Sequence, residues 1–336
     1  MYTYHTLIQL SQVLAHHGVA QAVLSPGSRV APLTISFARN PHLQAFTHSD
    51  ERAAAYMALG LSQQSQKPVA LACTSGTATL NYAPAIAEAF YQQVPLIACT
   101  ADRPPEWIDQ QDGQAIRQQN LYGRHVKGGF QLPTDYSHPD AQWHAFRIMN
   151  EAALLAQTYP QGPVHINIPI REPFYPDTEE VSFEENPLSW QEEKGRQGLT
   201  PEQLKRLKAQ IPASGKVLIV GGQGQKRHQL LSQQLPEQLP VVADIISNLH
   251  GVPNRILHQD AWLGHLTPEQ AEELKPDLLI TFGQSVISKN LKLYLRKNCP
   301  QQHWHIQEAG AVADPFQSVS RIIRVPPEVF WESMGK

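Results

Sequence analysis

The apolar runs of this chain do not alternate with polar residues. QAVLS, PVALACT, PLIACTA and PVHINIPI in the first half, and KVLIVGG, LPVVAD and PDLLITFG in the second, are short and almost continuously apolar. A strand with one face in water shows a period of two, so runs of this kind belong to strands covered on both faces. Amphipathic stretches separate them. Leu7, Leu10, Val13 and Leu14 form a helical stripe that stops at Gly18; DERAAAYMALGLSQQ, LNYAPAIAEAFYQQ and DAQWHAFRIMNEAALLAQ also read as helices. Strand–helix alternation with right-handed crossovers predicts an α/β fold with a doubly wound, mainly parallel sheet.

The pattern is interrupted once. EPFYPDTEEVSFEENPLSWQEEKGRQG is rich in Pro and Glu and lacks periodicity, and beyond it the alternation resumes. At roughly 150 residues per domain, 336 residues make two. The expected division is a domain over 1–175, a linker over 176–200 and a smaller α/β domain over 201–336.

Composition excludes several classes. A formal net charge of -3 gives no basic excess for nucleic acid, and no polybasic run faces a membrane surface. No stretch approaches the ~18 apolar residues of a membrane span, and the first residues lack a signal-peptide pattern; a cytoplasmic location is expected. Cys73, Cys99 and Cys299 are odd in number and lack CxxC spacing, so neither a disulfide framework nor a metal site is expected.

Chemistry concentrates in four places. Ser25-Pro26-Gly27-Ser28-Arg29 follows a strand, where open α/β sheets bind ligands. Gly27 permits close backbone approach and Arg29 can grip a carboxylate or phosphate through two parallel bonds; a tight turn with a solvated Arg is equally consistent. Ser49-Asp50-Glu51-Arg52 opens a helix with Ser49 as N-cap, and first-turn acids need no further role. Thr74-Ser75-Gly76-Thr77 lies between a strand and a helix, with Asn81 and Pro84 beyond it; this is either an anion-binding helix start or plain strand-to-helix packing. Pro84 requires that helix to begin late or to bend. The long polar segment after the fourth strand carries Arg103, Gln114, Arg117 and Gln118, and loops of that length in compact domains are usually functional. GGQGQK in the second half lacks the full phosphate-loop pattern and reads as a turn.

Taken together, SPGSR, HSDERAAAYMALGLS, CTSGTATLNYAPAIAEA, TADRPPE and GQAIRQ resemble, in order and spacing, the MenD family of thiamine-diphosphate enzymes, the 2-succinyl-5-enolpyruvyl-6-hydroxy-3-cyclohexene-1-carboxylate synthases. The resemblance implies a pyrimidine-binding domain followed by a central domain. It implies decarboxylation of 2-oxoglutarate on thiamine diphosphate and addition of the succinyl-semialdehyde carbanion to isochorismate, in menaquinone or phylloquinone biosynthesis. Glu51 matches the family's catalytic glutamate, which hydrogen-bonds the aminopyrimidine ring. Pro26, Gly27, Thr77 and Asn81 match cofactor-binding positions; Ser28, Arg29, Arg103 and Gln114 match positions that hold the carboxylate substrates. Lys289 matches a basic substrate position, though Asn290 stands where relatives often have Arg. The GDG motif that holds Mg²⁺ and the diphosphate does not occur; the nearest string is Gln111-Asp112-Gly113. The resemblance therefore implies a piece without the C-terminal diphosphate-binding domain, inactive by itself, from a homodimer or homotetramer.

Overall fold

The computed structural model describes residues 2–335 except 173, 176–181, 185, 186, 196, 225–227 and 254. The chain divides into two compact units, Met1–Glu192 and Glu193–Lys336. Part of the expected linker, 176–181 with 185, 186 and 196, lies outside the described residues. Described parts of the linker are tied to the first unit. Gln9 Nε2 donates to the Ser182 carbonyl (3.0 Å), and the Trp190 N–H donates to Asn150 Oδ1 (2.7 Å).

The first unit runs α1 (Tyr2–His16), β1 (Gln21–Leu24), α2 (Ala31–Arg39), β2 (Gln44–Thr47), α3 (Glu51–Ser65), β3 (Val69–Cys73), α4 (Thr77–Leu80), α5 (Ala83–Tyr91), β4 (Leu96–Asp102), β5 (Gly129–Gln131), α6 (Pro139–Gln157) and β6 (Val164–Pro169). Its described strands form a parallel sheet ordered β2-β1-β3-β4-β6-β5. The non-alternating runs are explained by two cores. Ala22, Ala70, Ala72, Ile97 and Ile166 face α1, α2 and α6. Their neighbours Val23, Leu71, Cys73 and Ala98 face α3 and α5. The four central strands β1, β3, β4 and β6 thus bury both faces, and each fully buried Leu or Ile side chain contributes about 1.5–3 kcal/mol. Gly18, at φ +86, turns the chain from α1 into β1 as its position predicts.

Two local details refine the sequence reading. The helix containing Pro84 is broken rather than bent: α4 ends at Leu80, and α5 restarts with Pro84 in its first turn, where its missing N–H costs nothing. The short edge strand β5 lies where a continuous loop is expected; at three residues it is too short to show a period.

The second unit runs α7 (Pro201–Gln210), β7 (Val217–Gly221), α8 (His228–Leu231), β8 (Val241–Ala243), β9 (Arg255–Ile256), α9 (Gln259–Leu263), α10 (Pro268–Glu273), β10 (Leu278–Phe282), α11 (Lys289–Lys297), β11 (Gln302–Ile306), β12 (Arg321–Ile323) and α12 (Pro327–Met334). Its described strands are again all parallel, in the order β12-β11-β10-β7-β8-β9. The expected α/β class with two doubly wound sheets is what the chain adopts.

In such a sheet a crevice opens where adjacent strands send their chains to opposite faces, beyond the carboxyl ends of the strands. In the second unit that place lies between β7 and β10, and main chain closes it. The Gly222 N–H donates to the Phe282 carbonyl (2.9 Å), and the Gln284 N–H donates to the Gln223 carbonyl (2.8 Å). This closure needs glycine. A Cβ on Gly222 would stand 2.3 Å from the Gln284 carbonyl oxygen, which is backbone and cannot step aside. Gly222→Ala is expected to cost the second unit about 1–3 kcal/mol. Amide exchange in β7 and β10 measures it; an unchanged opening free energy there would mean the closure is dispensable. GGQGQK is accordingly a closing turn over the part described; 225–227 lie outside the described residues.

Candidate functional site

In the first unit the equivalent place lies between β1 and β3, and here a cleft remains open. The chain leaves β1 toward α2 on one face and β3 toward α4 and α5 on the other. The two departing loops meet at one point. A Cβ on Gly27 would fall 2.5 Å from Thr74 Cβ, so Gly27 is needed for the SPGS loop to rest on the TSGT loop. That is a loop–loop contact, where the sequence suggests backbone approach to a ligand.

The cleft encloses about 680 Å³. Pro26, Gly27 and Ser28 form one wall; Thr74 to Ala78 and Asn81 form another; Gln114, Ala115 and Ile116 close a third side. Glu51 enters from the start of α3. Its position is set by a cap one residue later than expected. Asp50, not Ser49, is the N-cap, and its carboxylate accepts the Ala53 N–H at 3.0 Å. That bond is the main reason the Asp50 carboxyl lies below its usual range. Both residue types cap well, and the choice makes Glu51 the first helical residue.

Seven of the ten sequence-predicted site residues therefore line one cleft: Pro26, Gly27, Ser28, Glu51, Thr77, Asn81 and Gln114. Three do not. Arg29 turns inward and is only 6% exposed. Its guanidinium donates to the Ile170 carbonyl and stacks 4.6 Å from the Phe174 ring centre, and its Nε is left without a partner. Arg103 reaches along its own loop, with Nε donating to the Gly113 carbonyl (3.1 Å) and pairing with Asp112 (2.9 Å). Lys289 belongs to the second unit, exposed in the first turn of α11 behind the Ser288 cap.

The third wall rests on a buried polar network that the sequence reading does not assemble. Gln118 is 1% exposed. Its Oε1 accepts the Gly76 N–H (2.8 Å), and its Nε2 donates to the Ala101 carbonyl and to Asn167 Oδ1 (both 3.0 Å). Asn167 Nδ2 donates to Asp102 Oδ2 (2.8 Å), and Asp102 Oδ1 accepts the Arg103 N–H (2.7 Å). Thr100 Oγ1 stands between Asn167 Oδ1 (3.3 Å) and His165 Nε2 (2.7 Å). Burial raises the Asp102 carboxyl, against the Asn167 and Arg103 bonds that lower it. Burial also pulls the His165 imidazole down to about 3. A signal for the network is present in VHINIPI: His165 and Asn167 sit two apart in an otherwise apolar strand, hence on one face. Gln118, within a polar loop, carries no such signal.

The lining residues include one carboxylate and several neutral hydrogen-bonding groups, with no Lys, Arg or His. That set fits a neutral heteroaromatic ring that both donates and accepts hydrogen bonds. It does not fit a diphosphate, which calls for cations or a bound metal. Among the described residues, no three His, Cys, Asp or Glu side chains are grouped to hold a metal ion. No described helix is long and apolar enough to cross a membrane.

Comparison with known proteins agrees with this geometry. Residues 7–121 match the family described as thiamine pyrophosphate enzyme, N-terminal TPP binding domain, and residues 184–333 match the middle domain of the same enzymes. The first match contains every cleft residue. The 2-succinyl-5-enolpyruvyl-6-hydroxy-3-cyclohexene-1-carboxylate synthase of Cytophaga hutchinsonii is 47% identical over 319 residues, covering 95% of this chain and 57% of that protein. The proteins of the same name from Phocaeicola vulgatus and Flavobacterium psychrophilum are 37% and 40% identical, covering 98% and 94% of this chain. Of their own lengths, 59% and 56% are covered. The chain thus spans a little over half the length of these relatives, matching their N-terminal and middle parts. On these matches, the chain carries the N-terminal and middle domains of the thiamine pyrophosphate enzymes and is similar to the proteins named 2-succinyl-5-enolpyruvyl-6-hydroxy-3-cyclohexene-1-carboxylate synthase.

Proposed function

We propose that this chain supplies the pyrimidine-binding and central domains of a thiamine-diphosphate-dependent synthase. In this reading the complete protein decarboxylates 2-oxoglutarate and joins the remaining four-carbon unit to isochorismate, on the way to menaquinone or phylloquinone. The observation that carries the proposal is the placement of Glu51 in the open crevice of the first unit, among neutral groups suited to an aminopyrimidine. Bound thiamine diphosphate would supply the nucleophilic carbon and the electron sink.

The residues of the chain have separable tasks. Glu51 hydrogen-bonds the ring and holds the proton that sets its tautomer. Pro26, Gly27, Thr77 and Asn81 bound the ring, and Ser28 and Gln114 face the space beside it. Arg29 and Arg103 are the carboxylate partners. Buried charge is costly unless paired, and the orphan Nε of Arg29 favours its exchanging the Ile170 carbonyl for a substrate carboxylate. Arg103 would release Asp112 in the same way. Lys289 is a further basic contact from the central domain. The diphosphate and its Mg²⁺ are assigned to a domain outside residues 1–336, so this stretch alone is expected to be inactive. A cytoplasmic homodimer or homotetramer completes the reading.

The test is isochorismate consumption by the complete gene product given thiamine diphosphate, Mg²⁺ and 2-oxoglutarate. Consumption that requires all three supports the synthase reading. A folded protein that consumes none overturns it and redirects the search to another 2-oxo acid or acceptor.

A further inference from the structure

We propose that Gln118, which lies outside the cleft lining, is the positioning residue that sets Gln114 against the Gly76 turn. This rests on the synthase reading for its kinetic consequence, but not for its structural one.

Gln114 is held in an unfavourable place. Its φ is +57, in the left-handed region that residues other than glycine rarely adopt. Its backbone lies over Gly76, where a Cβ would come within 3.0 Å of Gln114 Cα. Gly76 is itself at φ +87. A strained residue pressed on a turn that only glycine makes persists only if the surroundings over-determine it. The loop is clamped at both ends. At its start Arg103 holds Gly113 and Asp112, in contacts that are partly exposed and therefore exchangeable. At its end Gln118 is buried and uses three hydrogen bonds at once, on the Gly76 N–H, the Ala101 carbonyl and Asn167 Oδ1. Only the Gln118 clamp spans both the cleft turn and the sheet. It stands four positions after Gln114 in sequence, so its loss frees the segment that carries Gln114 while leaving the strands paired.

The experiment has two arms. In the first, amide exchange compares wild type with Gln118→Leu, and needs no cofactor or turnover. Exchange at Gly76 and over 110–118 is expected to rise about tenfold or more, as for a buried N–H that loses its acceptor, while β1 and β3 stay protected. In the second, Gln118→Glu, Gln114→Ala and the double variant are compared in the complete protein. Gln118→Glu keeps the acceptor for Gly76 and loses the donor, so it serves also if the leucine variant fails to fold. Displacement of a substrate-facing group by about 1 Å costs on the order of 100-fold in kcat/KM, and the double variant is expected to be no worse than Gln114→Ala alone. Unchanged exchange at Gly76 and 110–118, or losses that multiply in the double variant, would overturn the proposal. If the wild-type protein consumes no isochorismate, the synthase reading fails and the exchange arm alone decides the role of Gln118.

Discussion

Glu51→Gln in the complete protein lowers turnover by about 100- to 10,000-fold, the range lost when a positioned acid–base group is removed, and leaves the fold intact. Glutamine keeps the size and one hydrogen-bonding oxygen of glutamate but cannot share a proton with the ring. The stability cost is small because Glu51 is not the cap. Asp50 is, and its bond to the Ala53 N–H survives the change. What goes is the favourable placement of a negative charge in the first turn of α3, worth about 0.3–1 kcal/mol. Steady-state kinetics with both substrates, paired with a denaturation curve, separate the two effects. A variant that unfolds assigns Glu51 to the helix start; a folded variant with wild-type turnover removes it from the chemistry.

The second large effect is acid sensitivity in the first unit, centred on His165. The imidazole is buried on a face of the sheet, packed edge-on against the Tyr122 ring at 4.8 Å and bonded to Thr100. Unfolded, it binds a proton near pH 6.5; folded, burial delays that to about 3. Between those values the unfolded chain holds more protons, so stability is full above pH 6.5 and drains away as the pH falls toward 3. At about 1.4 kcal/mol per pH unit, His165 removes about 3 kcal/mol by pH 4 and approaches 5 kcal/mol below pH 3. His303 in the second unit, pulled down to about 4 by burial, acts in the same direction over a narrower window. Opening free energies from amide exchange in β4 and β6, at pH 7 and pH 4, measure the effect at His165. His165→Gln retains a donor for Thr100 and does not titrate, so it should flatten the difference by about 3 kcal/mol. An equally steep dependence in that variant would assign the acid sensitivity to other groups.

The cleft was largely readable from the chain because its parts sit in runs tied to the ends of strands. SPGSR and TSGT each follow a buried strand and the Glu51 helix follows the edge strand β2, and the carboxyl ends of strands in a doubly wound sheet converge on one crevice. What the chain did not show was the direction in which a side chain points. Arg29 stands one residue past Ser28, and no periodicity in a turn says that one side chain faces the cleft while the next turns inward to Ile170 and Phe174. Arg103 presents the same ambiguity, resolved by Asp112 nine residues along its own loop.

The grouping of Glu51 with the SPGS and TSGT loops came from the family resemblance; strand patterning and helix signals were enough for the α/β class and the parallel sheets. Those properties follow from local periodicity and from the small number of ways a right-handed crossover can be wound. Three-dimensional contact was needed to show that equivalent crevices in the two units differ, one open and one closed by Gly222 pairing with Phe282. It was needed again for the network from His165 to Gly76, whose members come from β4, β6 and two loops. Hydrogen bonds between residues some 40 to 70 positions apart depend on where separate segments are carried by the sheet, and no local pattern in the chain encodes that meeting.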